Sequence, residues 1–317
     1  IEAARLGLAD GVVSLTYFEA AILAALLLMA DADLDLAILE VGLGGRLDAV
    51  NVVDCDLAVI TPVDLDHQAW LGDDRETIGA EKAGILRRGV PVVISDPAPP
   101  ASVLARAAGL DAPVLRLGAD FRFENGRYTG PGPAQASGPL ALSGLEAPGV
   151  HPSAVAAALT VLGVLGVTLD PVRCREALAA LVVPGRLQVL ERGAVRYLLD
   201  VAHNPHAART LAARLPGEEP VALVFGAFAD KDVEGILAPL APRLGSVTLV
   251  ATPGPRGATA EALAMRLAAC ALPELATAAT LEAALERAAA RAGAGSVLVC
   301  GSFTVVGAAL AVLGQAA

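Results

Sequence analysis

The sequence predicts an α/β protein built on mostly parallel β-sheets. Two observations support this fold class: short apolar runs alternate with stretches of helical periodicity, and turn residues separate the two kinds of segment. A third observation is the Gly- and Pro-rich segment 121–149, which reads as hairpins and loops rather than as another strand–helix unit. The chain is therefore expected to contain crossover units interrupted by one region of a different kind.

Each apolar run is short enough to be one strand, and each periodic stretch is long enough to be a helix that crosses a sheet. The predicted strands lie at residues 36–41, 57–61, 90–95, 195–201, 221–225, 247–251 and 297–300. The predicted helices lie at residues 17–29, 76–87, 153–165, 171–181, 205–215, 259–270, 281–291 and 303–313.

Length and composition point to two domains. The chain has 317 residues, of which 55% are apolar, enough for two cores of ordinary size. In the segment "VVPGRLQVL", residues 182–190, Pro-Gly ends a helix and a new series of strands begins. We expect one domain over residues 1–183 and a second over residues 184–317.

Several protein classes are disfavoured by composition. The longest apolar run, residues 20–30, is about half of the roughly 20 residues that a membrane-spanning helix needs, and no signal-peptide pattern opens the chain. The four cysteines show no C-x-x-C spacing, and a net charge of −11 disfavours nucleic-acid binding. The sequence predicts a soluble, cytoplasmic protein with neither a nucleic-acid nor a membrane partner.

The stretch "LDLAILEVGLGGRLDAVNVV" places Glu40 at the end of a predicted strand, just before a glycine-rich loop. Asp66 and His67 follow the next predicted strand, and the carboxyl ends of parallel strands share one crevice. Glu40 and His67 are thus candidate ligands for Mg²⁺, or for Mn²⁺ or zinc because of the imidazole. The alternatives are a helix N-cap for Asp66 and an ordinary loop or core histidine for His67.

Lysine is rare in this chain. Of 23 basic residues only two are lysines, Lys82 and Lys231. A primary amine can react with CO₂ to form a carbamate, can form a Schiff base, or can act as a compact charge, and a guanidinium does none of these well. The alternative for each lysine is a surface side chain retained in an arginine-rich composition.

Eight segments stand out in order along the chain: "LTYFEA", "LEVGLGGRLDAVN", "DLDHQAWLG", "IGAEKAGI", "PGRLQ", "LDVAHNPHAA", "FGAFADKD" and "GSFTVVG". Together they resemble the dihydrofolate synthase and folylpolyglutamate synthase family of the Mur ligase superfamily. The resemblance implies a P-loop-type central domain, here residues 1–183 and without its P-loop portion, followed by a Rossmann-like glutamate ligase domain, residues 184–317.

The activity implied by the resemblance is that of an ATP-dependent amide ligase. Such enzymes phosphorylate a carboxylate with ATP, and the amine of glutamate then attacks the acyl phosphate. Metal ions and fixed cations stabilise the charge on the transferred phosphoryl group. The implied cofactors are ATP and one or two Mg²⁺ ions, the implied substrates are L-glutamate and dihydropteroate or a folate, and the complete protein is expected to be a monomer.

The resemblance also implies roles for residues of the first domain. Glu40 and His67 match the Mg²⁺ ligands, and Lys82 matches a lysine that is carbamylated in the family and thereby becomes carboxylate-like. Thr16, Phe18 and Asp48 match positions that line the pterin pocket.

For the second domain the resemblance implies contacts with ATP and glutamate. Arg186 matches an arginine directed at the ATP phosphates and would couple domain closure to catalysis. The residues implied to contact the nucleotide are Asp200, His203, Asn204 and Lys231. Those implied to hold the incoming glutamate are Arg256 and Ser302.

Three departures from the family pattern are visible. Val50 stands where the family usually has threonine, and Val155 stands where many relatives place an amide side chain near the adenine. The P-loop pattern G-x-x-x-x-G-K-[ST] is missing, because neither lysine follows a glycine. We expect that roughly the first hundred residues of a relative, including the P-loop, have no counterpart here and that this fragment is inactive alone.

Two other interpretations compete with that of a truncated ligase. One is a folded remnant that binds ligands without turnover and exposes unpaired strand surface, which would make it poorly soluble. The other is a dinucleotide-binding oxidoreductase, indicated by "GLGGRL". It is disfavoured because Leu47 stands where G-x-G-x-x-G requires glycine and because no well-capped helix follows.

Overall fold

The computed structural model describes residues 14–132, 139–147 and 149–314. The chain divides into two compact units. Of the described residues, the first unit comprises 14–132, 139–142 and 156–169, and the second comprises 143–147, 149–155 and 170–314. The domain boundary after residue 183 stays a prediction.

The first unit contains a small parallel sheet covered by helices. The strands lie in the order β1-β2-β3 and all pair in parallel, with Ile60 opposite Ile94 and Ile94 opposite Arg116. The elements, in chain order, are α1 (Tyr17–Asp31), a 3₁₀ turn (Ala49–Val52), β1 (Ala58–Ile60), α2 (Gln68–Leu71), α3 (Arg75–Lys82), a second 3₁₀ turn (Ala83–Ile85), β2 (Val92–Ile94), α4 (Ala101–Gly109) and β3 (Val114–Arg116).

A three-stranded antiparallel sheet follows, which confirms the hairpins predicted for this region. It consists of β4 (Arg122–Glu124), β5 (Arg127–Gly130) and β6 (Leu140–Leu142). The next helix, α5 (Pro152–Val164), contributes to both units. Within the first unit, the Tyr128 hydroxyl lies 3.0 Å from Thr160 Oγ1, and both side chains are buried.

The second unit is a doubly wound α/β domain. Its six strands lie in the order β11-β10-β9-β12-β8-β7, parallel except for the antiparallel pair β7–β8. The elements are α6 (Pro171–Ala180), β7 (Gln188–Arg192), β8 (Val195–Leu199), α7 (Pro205–Arg214), β9 (Val221–Phe225), α8 (Val233–Leu237), a 3₁₀ turn (Ala241–Arg243), β10 (Leu244–Leu249), α9 (Ala260–Leu267), β11 (Leu275–Thr277), α10 (Leu281–Ala292), β12 (Ser296–Cys300) and α11 (Phe303–Gly314).

Two apolar cores lie on the two faces of this sheet. Helices α7, α8 and α9 contribute Leu211, Ile236 and Leu263 to one core. Helices α10 and α11 contribute Leu285 and Val306 to the other. Because both faces are covered, the central strands are continuously apolar, and for this reason their positions could be predicted from apolar runs alone.

The strand predicted at residues 36–41 is wrong. The segment is assigned to no strand, and the side chain of Ile38 is 83% exposed. An apolar run forms a strand only where a neighbouring chain completes its hydrogen bonds, and the described residues supply no such neighbour. The helix predicted at residues 76–87 ends at Lys82. Elements that were not predicted are α2, α4, α8, β3, β7 and β11.

Helix α1 begins as a well-capped helix. Thr16 Oγ1 accepts a hydrogen bond from Glu19 N, and the Glu19 carboxylate accepts one from Thr16 N, forming a capping box. Along the rest of α1 no residue is buried, although nearly all are apolar, and Leu28 is 73% exposed. The helix therefore presents an uncovered apolar surface.

Candidate functional site

In the first unit, the Asp48 carboxylate organises the glycine-rich loop. Its Oδ2 accepts hydrogen bonds from the backbone N–H groups of Gly42 (3.1 Å) and Leu43 (3.0 Å), and its Oδ1 accepts one from Val50 (3.0 Å). Phe18 packs against the same loop so closely that a Cβ atom on Gly42 would lie 2.9 Å from its ring. The structure thus brings Phe18 and Asp48 together, while contact of either with a pterin stays a prediction.

Thr16, the third residue predicted to contact the pterin, is the N-cap of α1. Its hydroxyl donates to Glu19 Oε2 at 2.8 Å, and its backbone N–H donates to the same oxygen at 2.7 Å. These bonds hold the pKa of the Glu19 carboxyl below its ordinary value. The capping bonds account for a Thr and a Glu three residues apart without any ligand.

Lys82 is the last residue of α3 and is half-buried. Burial lowers the pKa of its ammonium group because the charged form loses hydration, while the Asp66 carboxylate opposes the shift. A lower pKa increases the fraction of neutral amine, and only the neutral amine can react with CO₂. The environment of Lys82 therefore favours carbamate formation, which stays a prediction.

His67 has an unusual backbone. Its φ of 53° lies in the left-handed region, and it occupies the N-cap position of α2 without a side-chain capping bond. Asp66 does not cap the helix, so this alternative is wrong, and its Oδ1 accepts the His67 N–H at 2.8 Å. A non-glycine residue in this conformation costs about 1–3 kcal/mol, and such strain is concentrated at functional sites.

The segment before His67 is fixed by a buried carboxylate. Asp96 Oδ2 accepts hydrogen bonds from Val63 N at 2.9 Å and from Arg75 Nη2 at 3.1 Å, and the Arg75 Nε donates to Val63 O at 2.7 Å. Asp96 is only 3% exposed. This network anchors the loop that leads into the strained residue.

Glu40 lies exposed on the extended segment after α1. The expected crevice with His67 rested on Glu40 ending a strand, and that premise is wrong, so the convergence of the two side chains stays a prediction. The described residues contain no cluster of three or more His, Cys, Asp or Glu side chains suited to a metal. A Mg²⁺ site formed by Glu40, His67 and a carbamylated Lys82 stays a prediction; with so few protein ligands, water and phosphate oxygens would complete the Mg²⁺ shell.

In the second unit, most predicted residues follow the carboxyl ends of three adjacent strands. Asp200, His203 and Asn204 follow β8, Lys231 follows β9, and Ser302 follows β12. The order β9-β12-β8 makes these strands neighbours, so the residues occupy one edge of the sheet. Ligands of doubly wound folds bind at this edge, where the strand order reverses.

Asp200 holds the loop that carries Arg186. Its Oδ2 accepts the Leu187 N–H at 2.9 Å, and its Oδ1 accepts the Ala202 N–H at 2.9 Å. Leu187 has a positive φ of 42°, so this bond fixes a strained residue. Burial raises the pKa of the Asp200 carboxyl, with the two backbone donors and the Arg186 charge opposing the shift.

Arg186, Phe303 and His203 form one group at this edge. The Arg186 guanidinium lies 5.7 Å from the centre of the Phe303 ring, and the His203 ring lies 5.5 Å from it at an angle of 46°. His203 Nδ1 lies 3.0 Å from Val201 O. Because a carbonyl only accepts, Nδ1 carries a proton, and in the neutral ring the lone pair is on Nε2.

Phe303 was missed as a site residue from the sequence. Its signal was present in "GSFTVVG", where an aromatic residue follows a buried strand and two small residues. In the structure it is 58% exposed although it begins α11. An exposed aromatic ring beside a guanidinium and an imidazole is suited to contact a planar or charged ligand.

Asn204 and Ser302 cap helices. Asn204 Oδ1 accepts the Ala207 N–H at 2.8 Å at the start of α7, and Ser302 Oγ accepts the Val305 N–H at 3.1 Å at the start of α11. Ser302 is buried, and its hydroxyl still has a proton to donate. Their contacts with nucleotide and glutamate stay predictions.

Arg256 forms an ion pair with Asp230 through two nitrogens: Nη2 lies 3.0 and 2.9 Å from the two carboxylate oxygens, and Nε lies 3.3 Å from Oδ1. The Arg256 guanidinium also lies 5.0 Å from the centre of the Phe228 ring. The pair holds the pKa of Asp230 below its ordinary value. Lys231, next in the chain, accepts a hydrogen bond from Arg266 at its backbone oxygen. A role for Arg256 in binding glutamate would require exchange of one carboxylate partner for another.

The fold and this sheet edge define the class of protein as a Mur ligase. The family model described as "Mur ligase, glutamate ligase domain" matches residues 185–303. The dihydrofolate synthase/folylpolyglutamate synthase of Escherichia coli is 41% identical over 310 residues, covering 96% of this chain and 70% of that protein. The Mycobacterium tuberculosis protein of the same name is 36% identical, covering 80% of this chain and 56% of that protein.

Solved structures agree. Escherichia coli FolC in complex with DHPP and ADP superposes with a TM-score of 0.87 at 39% identity, covering 99% of this chain and 73% of that one. The Yersinia pestis bifunctional folylpolyglutamate synthase/dihydrofolate synthase complexed with AMPPNP and Mn gives 0.84 at 40% identity, covering 96% and 72%. The chain belongs to the dihydrofolate synthase/folylpolyglutamate synthase family. None of the helices in the described residues is long and apolar enough to cross a membrane.

Proposed function

We propose that this chain forms part of an ATP-dependent ligase that joins L-glutamate to dihydropteroate or to a folate, and that it supplies the glutamate ligase domain and the portion of the central domain that follows the P-loop. The observation that carries the proposal is the Arg186–Phe303–His203 group beside the Asp200 loop, at the ligand-binding edge of a doubly wound sheet. Relatives at up to 41% identity carry the names of such synthases, and solved relatives contain ADP, AMPPNP, Mn or L-glutamate.

The proposed reaction has two steps. A carboxylate oxygen of the pterin substrate attacks the γ-phosphorus of ATP, the bond to the bridging oxygen breaks, and ADP leaves. The amine of glutamate then attacks the acyl carbon, phosphate leaves, and the amide forms with loss of a proton. Both steps place negative charge on phosphoryl oxygens, so the protein must supply fixed positive charge and exclude water.

In the first unit, Glu40, His67 and Lys82 are the proposed contributors to this electrostatic task. Mg²⁺ bound there would neutralise charge on the phosphate oxygens. The half-buried amine of Lys82 has its pKa lowered by burial, which favours the carbamate. The glycine-rich loop, held by Asp48, allows backbone to approach a ligand closely, and Phe18 beside it offers an aromatic surface to a pterin.

In the second unit, Arg186 is the proposed phosphate contact. Its loop is held by Asp200, and its guanidinium lies over Phe303, so both the main chain and the charged end are oriented before a ligand arrives. His203, whose ring is fixed through Nδ1, is the proposed acceptor of the proton released by the glutamate amine. Asn204 and Lys231 complete the nucleotide side, and Arg256 and Ser302 the glutamate side.

Two alternatives remain distinct from this proposal. A ligand-binding remnant without turnover is favoured by one observation, the uncovered apolar surface of α1. A dinucleotide-binding oxidoreductase is disfavoured further, because the glycine-rich loop leads into the short 3₁₀ turn Ala49–Val52 rather than into a helix whose N-terminus could hold a pyrophosphate.

Transfer of ¹⁸O tests the proposal. A protein that contains this chain together with a P-loop segment is incubated with ATP, Mg²⁺, L-glutamate and dihydropteroate labelled with ¹⁸O in its carboxylate. The phosphate and pterin products are analysed by mass spectrometry. An acyl phosphate route moves one ¹⁸O into inorganic phosphate and adds one glutamate to the pterin. ADP binding without product would support the remnant, and reduction of a nicotinamide cofactor would support the oxidoreductase.

A matched pair of variants links the result to the site. Arg186→Gln should lower turnover by about two orders of magnitude, the usual effect of removing a transition-state charge contact. Arg196→Gln is the control, because Arg196 is exposed on β8 and its nearest carboxylate oxygen, on Glu191, is 3.7 Å away. Equal activity of the two variants would contradict the assignment of Arg186.

A further inference from the structure

The C-terminal end of the Lys82 helix is closed by groups from a distant part of the chain. A helix ends with carbonyl groups that have no partner within the helix. At the end of α3, Glu81 O accepts the Arg46 N–H at 2.9 Å, and Gly84 O accepts from Asn51 Nδ2 at 3.3 Å. The glycine-rich loop therefore caps the turn that bears Lys82.

The fit between loop and helix end is tight. A Cβ atom on Gly45 would lie 2.9 Å from Lys82 O, and one on Gly84 would lie 2.4 Å from Arg46 Cβ. The Arg46 Nε also pairs with Glu81 Oε1 at 3.0 Å. Backbone from residues 45–46 thus lies directly on backbone from residues 81–84, and glycine is required on both sides.

One arginine joins these two segments. Arg87 Nη2 donates to both Asn51 O (2.8 Å) and Asn51 Oδ1 (3.0 Å), while its Nη1 donates to Ile85 O at 3.0 Å. Its Nε contacts the Asp54 carboxylate. Asn51 Nδ2 donates back to Arg46 O at 3.1 Å. Every polar atom of the Asn51 side chain is engaged, and so is every guanidinium nitrogen.

We infer that Asn51 and Arg87 are positioning residues of the proposed phosphoryl-transfer site. They hold the glycine-rich loop, which continues from Glu40, in a fixed register against the turn that carries Lys82. The inference rests on the proposed function, since it assigns these residues to the placement of groups that serve the metal and phosphates. Neither side chain needs to touch a ligand.

Lysine cannot replace Arg87 in this role. The guanidinium contacts five acceptors in different directions through a planar fork, whereas an ammonium on a flexible stem can satisfy only some of them at once. Arg88 provides a matched control, because it is the next residue and forms a single exposed ion pair with Asp111 at 2.8 Å. The substitution Arg88→Lys changes the same chemistry outside the loop contact.

The first experiment measures hydrogen exchange in this chain. Arg87→Lys and, separately, Asn51→Ala should accelerate exchange of the Arg46 amide about tenfold or more, because the loop detaches more often. Arg88→Lys should leave it at the wild-type rate. Equal exchange in Arg87→Lys and Arg88→Lys would overturn the inference.

The second measurement is the Mg²⁺ dependence of turnover. Displacement of the loop should raise the Mg²⁺ concentration for half-maximal rate about tenfold in Arg87→Lys and leave it unchanged in Arg88→Lys. Partial unfolding alone would lower the rate equally at all Mg²⁺ concentrations, which would overturn the positioning role. Turnover is measured in a protein that contains this chain together with a P-loop segment. If that protein shows no ligase turnover with the wild-type sequence, the proposed function fails, while the exchange experiment still decides whether Arg87 holds the loop.

Discussion

Asp200→Asn tests whether this carboxylate organises the loop that carries Arg186. Both carboxylate oxygens are used, one by Leu187 N–H and one by Ala202 N–H, each at 2.9 Å. Asparagine has one oxygen and one NH₂ group, so one backbone donor would face another donor. We expect loss of the bond to Leu187, whose positive φ makes it the less stable of the two attachments.

The loss of stability expected in Asp200→Asn is the sum of two opposing effects. A hydrogen bond to a charged acceptor contributes about 1.5–3 kcal/mol, whereas removal of a buried charge recovers part of that energy. The raised pKa of Asp200 shows that the burial effect is substantial. We therefore expect a net destabilisation of about 1–2 kcal/mol, equivalent to a fall in Tm of about 2–8 °C for a unit of this size.

The pH dependence carries a definite sign. A carboxyl whose pKa is raised on folding contributes most stability below its unfolded value, here 3.8, and loses that contribution as pH rises through the folded pKa. Asparagine does not titrate. The Tm difference between wild type and Asp200→Asn should consequently be smaller at pH 7 than at pH 3.5.

Thermal unfolding and amide exchange of Leu187 provide the assays. Asp232→Asn is the control, because Asp232 uses only one oxygen, which accepts the Gly235 N–H at 2.9 Å, and asparagine caps helices as well as aspartate does. Unchanged protection of the Leu187 amide in Asp200→Asn, together with a Tm equal to that of Asp232→Asn, would refute the reasoning.

Three further predictions concern the first unit. In urea denaturation, Tyr128→Phe should lower the free energy of unfolding by about 1 kcal/mol and Thr160→Val by about 1–3 kcal/mol. The second change costs more because it leaves the buried Tyr128 hydroxyl unpaired, whereas Thr160 keeps its bond to Ala156 O in the first. Equal losses for the two variants would contradict this prediction. The Glu76 carboxylate accepts two backbone N–H bonds at the start of α4, and these bonds lower its pKa. The Tm of wild type should therefore exceed that of Glu76→Gln above pH 4.5, and the difference should vanish as the pH falls through the folded pKa. A Tm difference that does not depend on pH would contradict this prediction. Leu28 is exposed on α1, so Leu28→Lys should change the free energy of unfolding by less than about 0.5 kcal/mol. The same change should reduce the light scattering caused by self-associated protein. Unchanged scattering would show that α1 is not the surface through which the protein associates.

The sequence predicted the second unit more fully than the first. Strands such as Val221–Phe225 are buried on both faces, so an apolar run identifies them directly. Leu275–Thr277 has only three residues and is partly exposed, so no run marks it. The run at residues 36–41 misled because its apolar side chains are uncovered, and pairing partners are a tertiary property that an apolar pattern does not encode.

Site prediction shows the same division between chemistry and geometry. Arg186, Asp200 and His203 could be singled out because polar side chains follow apolar runs, and the structure places them at one sheet edge. That Asp200 bonds to the Arg186 loop, or that Phe303 contacts both Arg186 and His203, depends on contacts between residues 13 to 117 positions apart in the chain. Such contacts are determined by topology and not by local pattern.

The contacts that the glycine-rich loop makes with the C-terminal end of α3 have a consequence for the order of folding. Helix α3 has eight residues, fewer than the roughly 12–15 that an isolated helix needs in water. Besides local donors, Glu81 O in the helix and Gly84 O in the turn after it accept hydrogen bonds from Arg46 and Asn51, which lie more than 30 residues earlier in the chain. The turn that carries Lys82 should therefore form late, and it should open together with the glycine-rich loop as one cooperative unit.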